Sequence, residues 1–231
     1  AKSTRGFTRR YISAMTNKKE HFVIEPANAV NASVIWLHGL GANGKDFMGI
    51  VEQLNLPTNH GIRFVFPSAP FIPVTINNGI RMRAWYDIYD LNRLDKEDLA
   101  GIQNSQKIIA AYIEEQVASG VAHNRIILAG FSQGGAMTLY TALNYDQRLA
   151  GAISLSAYIP LAVNLNVTQR FANKDIPIFL AHGSFDQIVP FILGEKTRDL
   201  LLNAQYTVEW HAYQIPHSVC LEEIVVIGNF I

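Results

Sequence analysis

The stretch Arg125–Met137, RIILAGFSQGGAM, stops a short apolar run at a glycine, turns through a serine and continues with helical spacing. Arg125–Ala129 is apolar on both faces, which suits a strand buried in a parallel sheet. From Gln133 onward QGGAMTLYTAL reads as a helix. Between them lies Gly130-Phe131-Ser132-Gln133-Gly134. A serine hydroxyl attacks a carbonyl only when it is held out of the sheet beside a base. A sharp strand-to-helix turn does this and strains the backbone at the serine, so glycines two before and two after remove the colliding side chains. The stretch therefore predicts a nucleophile elbow.

The same alternation extends outward. Ser33–Leu37, Ile62–Phe66, Gly151–Leu155 and Ile176–Ala181 read as further buried strands, and Tyr206–His211 alternates enough to lie near an edge. The clearest helix spans Asp95 to Ser119, with Asp95 as N-cap, Glu97 and Asp98 in the first turn and Gly120 at C′. Leu99, Ile102, Ile109, Tyr112, Ile113 and Val117 form its buried stripe. Other helices are expected from about Lys45, Gln133, Pro190 and Ser218. Strand–helix alternation without a linker predicts one three-layer α/β domain over residues 20–231, with a mostly parallel central sheet. Ser68–Leu94 resists this scheme. A connection of that length in a compact domain is commonly functional.

Composition narrows the function. The 231 residues carry 19 Lys and Arg against 19 Asp and Glu. A formal charge of zero argues against a general nucleic-acid binder. The single cysteine, Cys220, excludes an intramolecular disulfide and fits a reducing, cytoplasmic setting. No run reaches the roughly 18 apolar residues of a bilayer span, so stable membrane insertion is not expected. Residues 1–19 are basic and acid-free, with Lys2, Arg5, Arg9, Arg10, Lys18 and Lys19, and lack an apolar signal core. They read as a mobile tail. The sequence leaves a homodimer open.

An elbow serine needs an acid and then a histidine later in the chain. Asp186, in HGSFDQIVP just past a strand, is the best-placed acid. Asp175 precedes that strand, and Asp199 lies in a helical pattern. Of the two histidines that follow Asp186, His211 falls inside a strand pattern and His217 in the loop YQIPHSV. His217 is therefore the expected base. His21, His60 and His123 read as surface residues, and His182 as support for a turn. Acyl transfer also needs donors for the oxyanion. The Gln133 N–H follows the nucleophile, and the Leu40 N–H sits in the turn HGLG after an early strand.

That turn has a competing reading. Gly39-x4-Gly44-Lys45 nearly matches a phosphate-binding loop. Such a loop requires Ser or Thr after its lysine to hold Mg²⁺, and here the position is Asp46, which offers no hydroxyl and repels phosphate. A nucleotide-binding protein is thus a remote alternative, and a catalytically silent protein that binds acylated partners a nearer one.

Together, WLHGLGANGKDF, FPSAP, PVTINNGIRMRAWYDI, ILAGFSQGGAM, LSAYIP, HGSFDQIVP and HSVCLEE resemble the phospholipase/carboxylesterase family, which includes bacterial carboxylesterases and acyl-protein thioesterases. The resemblance covers nearly all of Asn31 to Ile231. It implies an α/β-hydrolase fold without a large cap domain, a Ser132–Asp186–His217 triad, an oxyanion hole from the Leu40 and Gln133 amides, and no metal or organic cofactor. It also implies that the irregular segment borders the cleft, which makes Phe71, Ile72, Val74, Met82 and Trp85 acyl-pocket candidates. The expected substrate is a small ester or thioester of short-to-medium chain, or a lipid or acylated protein. Two departures stand out: the basic tail, and Tyr213-Gln214-Ile215-Pro216 where bacterial members often have Tyr-Pro-Met-Gly. Pro216 fixes its own φ, so a stiffer histidine loop is expected.

Overall fold

A computed structural model describes residues 20–90, 96–160 and 172–231. The basic segment 1–19 and Asp95 lie outside the described residues. Seven strands form the main sheet: β1 (His21–Ile24), β2 (Ala32–Leu37), β3 (Ile62–Pro67), β6 (Ile126–Phe131), β7 (Gly151–Leu155), β8 (Pro177–Gly183) and β9 (Thr207–Tyr213). Their order is β1-β3-β2-β6-β7-β8-β9. β1 runs antiparallel to β3, and every other pairing is parallel. The strand expected near an edge, β9, is the last in the sheet. β1 carries too short a pattern to stand out in the sequence.

Alternation along the strands builds two cores. Ile35, Leu37, Ile126, Leu128, Ile178 and Leu180 face one way and meet α2 (Leu99–Ala118), α3 (Gln133–Asn144) and α4 (Phe191–Asn203). Val34, Trp36, Ile127, Ala129, Phe179 and Ala181 face the other way and meet α1 (Ile50–Gln53) and α5 (Leu221–Phe230). Each fully buried Leu or Ile contributes about 1.5–3 kcal/mol. Burial on both faces is why the strands lack a polar side, and the parallel sheet at the centre of three layers is the predicted α/β architecture.

Three local expectations change. Helix α2 starts at Leu99, and its N-cap is Asp98, whose side chain accepts the Gly101 N–H at 2.9 Å. The other Asp98 oxygen accepts the Asp87 N–H at 3.0 Å, so the cap also fastens a distant loop. Leu99 is thereby exposed at 44%, off the buried stripe. The run from Lys45 is turns rather than helix up to Ile50. Asn43 Oδ1 accepts the Lys45 N–H, and Asp46 Oδ2 accepts the Asn43 N–H, both at 2.9 Å. Such side-chain bonds offer the backbone an alternative to helix. Lys45 itself lies over the Phe22 ring, its Nζ 5.0 Å from the centroid. Finally, the irregular segment contains a hairpin: β4 (Phe71–Val74) pairs antiparallel with β5 (Ile80–Arg83) around a 3-10 turn at Thr75–Asn77. Asn78 and Gly79, at φ 55° and 74°, close it.

Candidate active site

The turn between β6 and α3 puts Ser132 at φ 56°, ψ −123°, a backbone state that a side chain rarely adopts. Two hydrogen bonds hold it there: the Ser132 N–H donates to the Leu155 carbonyl at 2.8 Å, and the Ser132 carbonyl accepts from Ala136 N–H at 3.0 Å. The flanking glycines leave no room for a side chain. A Cβ at Gly130 would lie 2.3 Å from the Gly134 carbonyl oxygen, and one at Gly134 would lie 2.2 Å from that of Leu37. Ser132 thus stands immediately before the N-terminus of a 12-residue helix, whose dipole favours developing negative charge.

Asp186 and His217 come from loops after β8 and β9 and meet the serine at the same end of the sheet. His217 Nε2 lies 3.0 Å from Ser132 Oγ, and His217 Nδ1 lies 2.6 Å from Asp186 Oδ2. A carboxylate beside Nδ1 places the ring proton there, which leaves Nε2 free to accept from the serine hydroxyl. The Asp186 side chain has no exposed surface, and its Oδ1 accepts the amides of Ile188 and Val189, both at 2.9 Å. The loop carrying His217 lies directly on the end of β8: a Cβ at Gly183 would come within 2.4 Å of the Ile215 carbonyl and 2.5 Å of the Pro216 carbonyl. The Pro216 carbonyl accepts the Ser218 N–H at 2.8 Å, and the Phe131 ring packs 4.7 Å from the imidazole centroid. The other candidates lie elsewhere. Asp175 is exposed, Asp199 bonds Arg198, and His211 bonds Glu209 and stacks on Phe179.

The turn after β2 sits against the serine. A Cβ at Gly39 would lie 3.4 Å from Ser132 Cβ, and Leu40 shares a cavity with Ser132 and Gln133. His38, which sequence reasoning passed over, fixes this turn. Its Nε2 accepts the Ala69 N–H at 2.9 Å, so the ring proton must be on Nδ1, which donates to the Gly39 carbonyl at 2.7 Å. Burial holds the His38 pKa below its ordinary value, which keeps this neutral tautomer. With the Gly39 carbonyl pinned, the trans peptide turns the Leu40 N–H the opposite way. Trp85 completes the support, donating its indole N–H to the His38 carbonyl at 2.9 Å. The Gln133 side chain fastens the same segment to the elbow, accepting from Trp85 N–H at 2.9 Å and donating to the Tyr86 carbonyl at 2.8 Å. The available signal was that a buried Trp or His needs a partner for its polar atom.

A cavity of about 190 Å³ opens beside Ser132. Ile76, Tyr86, Ile88, Ala157, Tyr158 and Ile188 supply most of its apolar wall. None of the five expected acyl-pocket residues lines it. Phe71 is 54% exposed under the Arg83 guanidinium, Val74 is fully buried, and Trp85 is 2% exposed as the prop of His38. Ile72 and Met82 face each other in the hairpin register, with Met82 Sδ near Asn77 and Gly41. Within the irregular segment, the turn at Ile76 and the strand exit at Tyr86–Ile88 reach this cavity, while the hairpin strands do not. Among the described residues, no helix is long and apolar enough to cross a membrane.

Known proteins resemble this chain in sequence and in fold. A sequence profile described as Phospholipase/Carboxylesterase matches residues 18–231. Acyl-protein thioesterase 1 of Neurospora crassa is 40% identical over 209 residues, covering 87% of this chain and 85% of that protein. Acyl-protein thioesterase 1 of Yarrowia lipolytica is 39% identical over 213 residues, covering 89% and 93% respectively. The crystal structure of Zea mays acyl-protein thioesterase 2 aligns with a TM-score of 0.79 at 28% identity, over 91% of this chain and 96% of that one. Arabidopsis thaliana SOBER1 aligns equally well, at 0.79 and 32% identity, over 87% and 97%.

Proposed function

The chain belongs to the phospholipase/carboxylesterase family and has the α/β-hydrolase fold, and from that premise we propose that it cleaves carboxylic esters or thioesters through an acyl-enzyme on Ser132. The observation that carries this reading is the continuous line from buried Asp186 through His217 to Ser132, at 2.6 and 3.0 Å. His217 Nε2 takes the hydroxyl proton as Oγ attacks the carbonyl carbon. Asp186 holds the Nδ1–H tautomer and stabilises the imidazolium that forms. The Leu40 and Gln133 amides receive the oxyanion, each worth about 3–4 kcal/mol of transition-state stabilisation. His217 then passes its proton to the departing alcohol or thiol. Water, deprotonated by the same nitrogen, attacks the acyl-enzyme and releases the acid.

The acyl group lies in the apolar cavity beside Ser132, which suits short-to-medium chains. The kinship with acyl-protein thioesterases favours a thioester on a protein, with a small ester or a lipid as the simpler substrate. A cytoplasmic location fits the lone cysteine.

Ser132→Ala tests the reading. The variant is expected to keep the wild-type melting temperature, to lose hydrolysis of a short p-nitrophenyl ester and to lose labelling by a fluorophosphonate. Turnover retained in a clean preparation overturns the assignment. A wild-type protein that the probe does not label would instead make the fold a silent binder.

A further inference from the structure

Behind Asp186 stands a second histidine that the mechanism does not use. His182, on β8, is 2% exposed. Its Nε2 lies 2.8 Å from the Val189 carbonyl and 3.4 Å from Asp186 Oδ2, the same oxygen that accepts from His217. Both neighbours of Nε2 are acceptors, so the ring proton is on Nε2; it is donated to the Val189 carbonyl and stands in electrostatic contact with Asp186 Oδ2. The ring cannot turn away. A Cβ at Gly194 on α4 would come within 2.4 Å of its Nδ1, and the Phe191 ring meets it edge-on at 5.9 Å. Burial lowers the His182 pKa, which agrees with a neutral donor.

We propose that His182 is a positioning residue for the acid of the triad: its Nε2–H anchors Val189 through its carbonyl, the Val189 amide holds Asp186 Oδ1, and the positive edge of the ring faces Oδ2 at 3.4 Å. The inference rests on the assignment of Ser132, Asp186 and His217 given above. The titratable groups facing the shared carboxylate are His182 and His217. Val189 ties the device together, because its amide donates to Asp186 Oδ1 while its carbonyl accepts from His182. Without His182, the loop loses one of these two anchors, and Oδ2 loses the ring edge that faces it opposite His217. A carboxylate without that neighbour attracts the imidazolium that forms on His217 more strongly.

The test compares His182→Leu, which fills space without a donor, with His182→Gln, which carries an amide N–H to the Nε2 position. Hydrolysis of a short p-nitrophenyl ester is measured across pH, and active sites are counted with a fluorophosphonate. Leu is expected to lower kcat about tenfold per labelled site with KM unchanged, the worth of about one buried hydrogen bond. The acidic limb of its kcat/KM profile is expected to move to higher pH. Gln is expected to restore both. Leu with wild-type kcat and an unmoved limb overturns the proposal, as do Leu and Gln impaired alike. Should Leu fail to fold, Gln is set against His182→Asn, whose amide stops short of Nε2. Asn as active as Gln, with the same profile, then overturns it. Wild-type protein that resists the probe would mark a failure of the triad reading instead.

Discussion

His38→Leu is the sharpest probe of how the oxyanion turn is held. The substitution deletes two hydrogen bonds, leaving the Gly39 carbonyl and the Ala69 N–H without their imidazole partners. Each orphaned buried group costs about 1–3 kcal/mol, so the fold should lose roughly 2–6 kcal/mol. Turnover suffers separately. Once the Gly39 carbonyl is released, the peptide can rotate and carry the Leu40 N–H out of line. Loss of one oxyanion donor costs about 3–4 kcal/mol, which is on the order of 100- to 1000-fold in kcat. His38→Asn divides the two effects. Its short amide can still donate to the Gly39 carbonyl but cannot reach Ala69, so stability should fall by about 1–3 kcal/mol while kcat stays within about tenfold. The assay is kcat and KM on a short p-nitrophenyl ester, normalised to sites labelled by a fluorophosphonate, beside thermal melts followed by circular dichroism. A Leu variant whose labelled sites turn over at nearly the wild-type rate would refute the reasoning. So would an Asn variant damaged as deeply as Leu.

Two further outcomes follow from burial. Glu223, 1% exposed at the start of α5, has its pKa raised from 4.5 to about 7 by desolvation. Between those values the folded chain holds a proton that the unfolded chain has released, so stability falls as pH rises through that window, by about 3 kcal/mol in all. Glu223→Gln should therefore melt several degrees higher than wild type at pH 8.5 and nearly together with it at pH 4.5; equal melting at pH 8.5 would remove the argument. In the cavity, Ile188→Ala should shift the preferred acyl-chain length while Phe71→Ala leaves it unchanged, measured on a series of p-nitrophenyl esters. The reverse pattern would return the pocket to the hairpin.

Chain order and residue chemistry single out Ser132, Asp186 and His217, because an elbow is a local pattern and few acids and histidines follow it. These three side chains, far apart in sequence, stand within hydrogen-bonding distance in the fold. The parallel strands were legible for a related reason: burial on both faces writes itself as short apolar runs. Other features were hidden because they depend on contacts between distant segments. Asp98 caps α2 while holding the Asp87 amide, a link that local spacing cannot express. Trp85 looked like a pocket wall because it is aromatic and sits in the right segment, yet its indole N–H is committed to the His38 carbonyl. His38 drew no reading and His182 read only as support for a turn, because the partners of each ring, Gly39 and Ala69 for one and Val189 and Asp186 for the other, are visible only in the fold.

The nucleophile and the oxyanion turn touch main chain to main chain, where Gly134 meets the carbonyls of Leu37 and His38. No side chain stands in that contact, so the closest approach of the two segments is a backbone contact. The separation between attacking oxygen and receiving amides is set by that backbone contact together with the hydrogen bonds of His38 and Gln133. The catalytic frame is thereby insulated from the cavity walls. Ile76 and Ile188 face the cavity with apolar side chains, so a lineage that changed them would reshape the cavity and leave the triad in place.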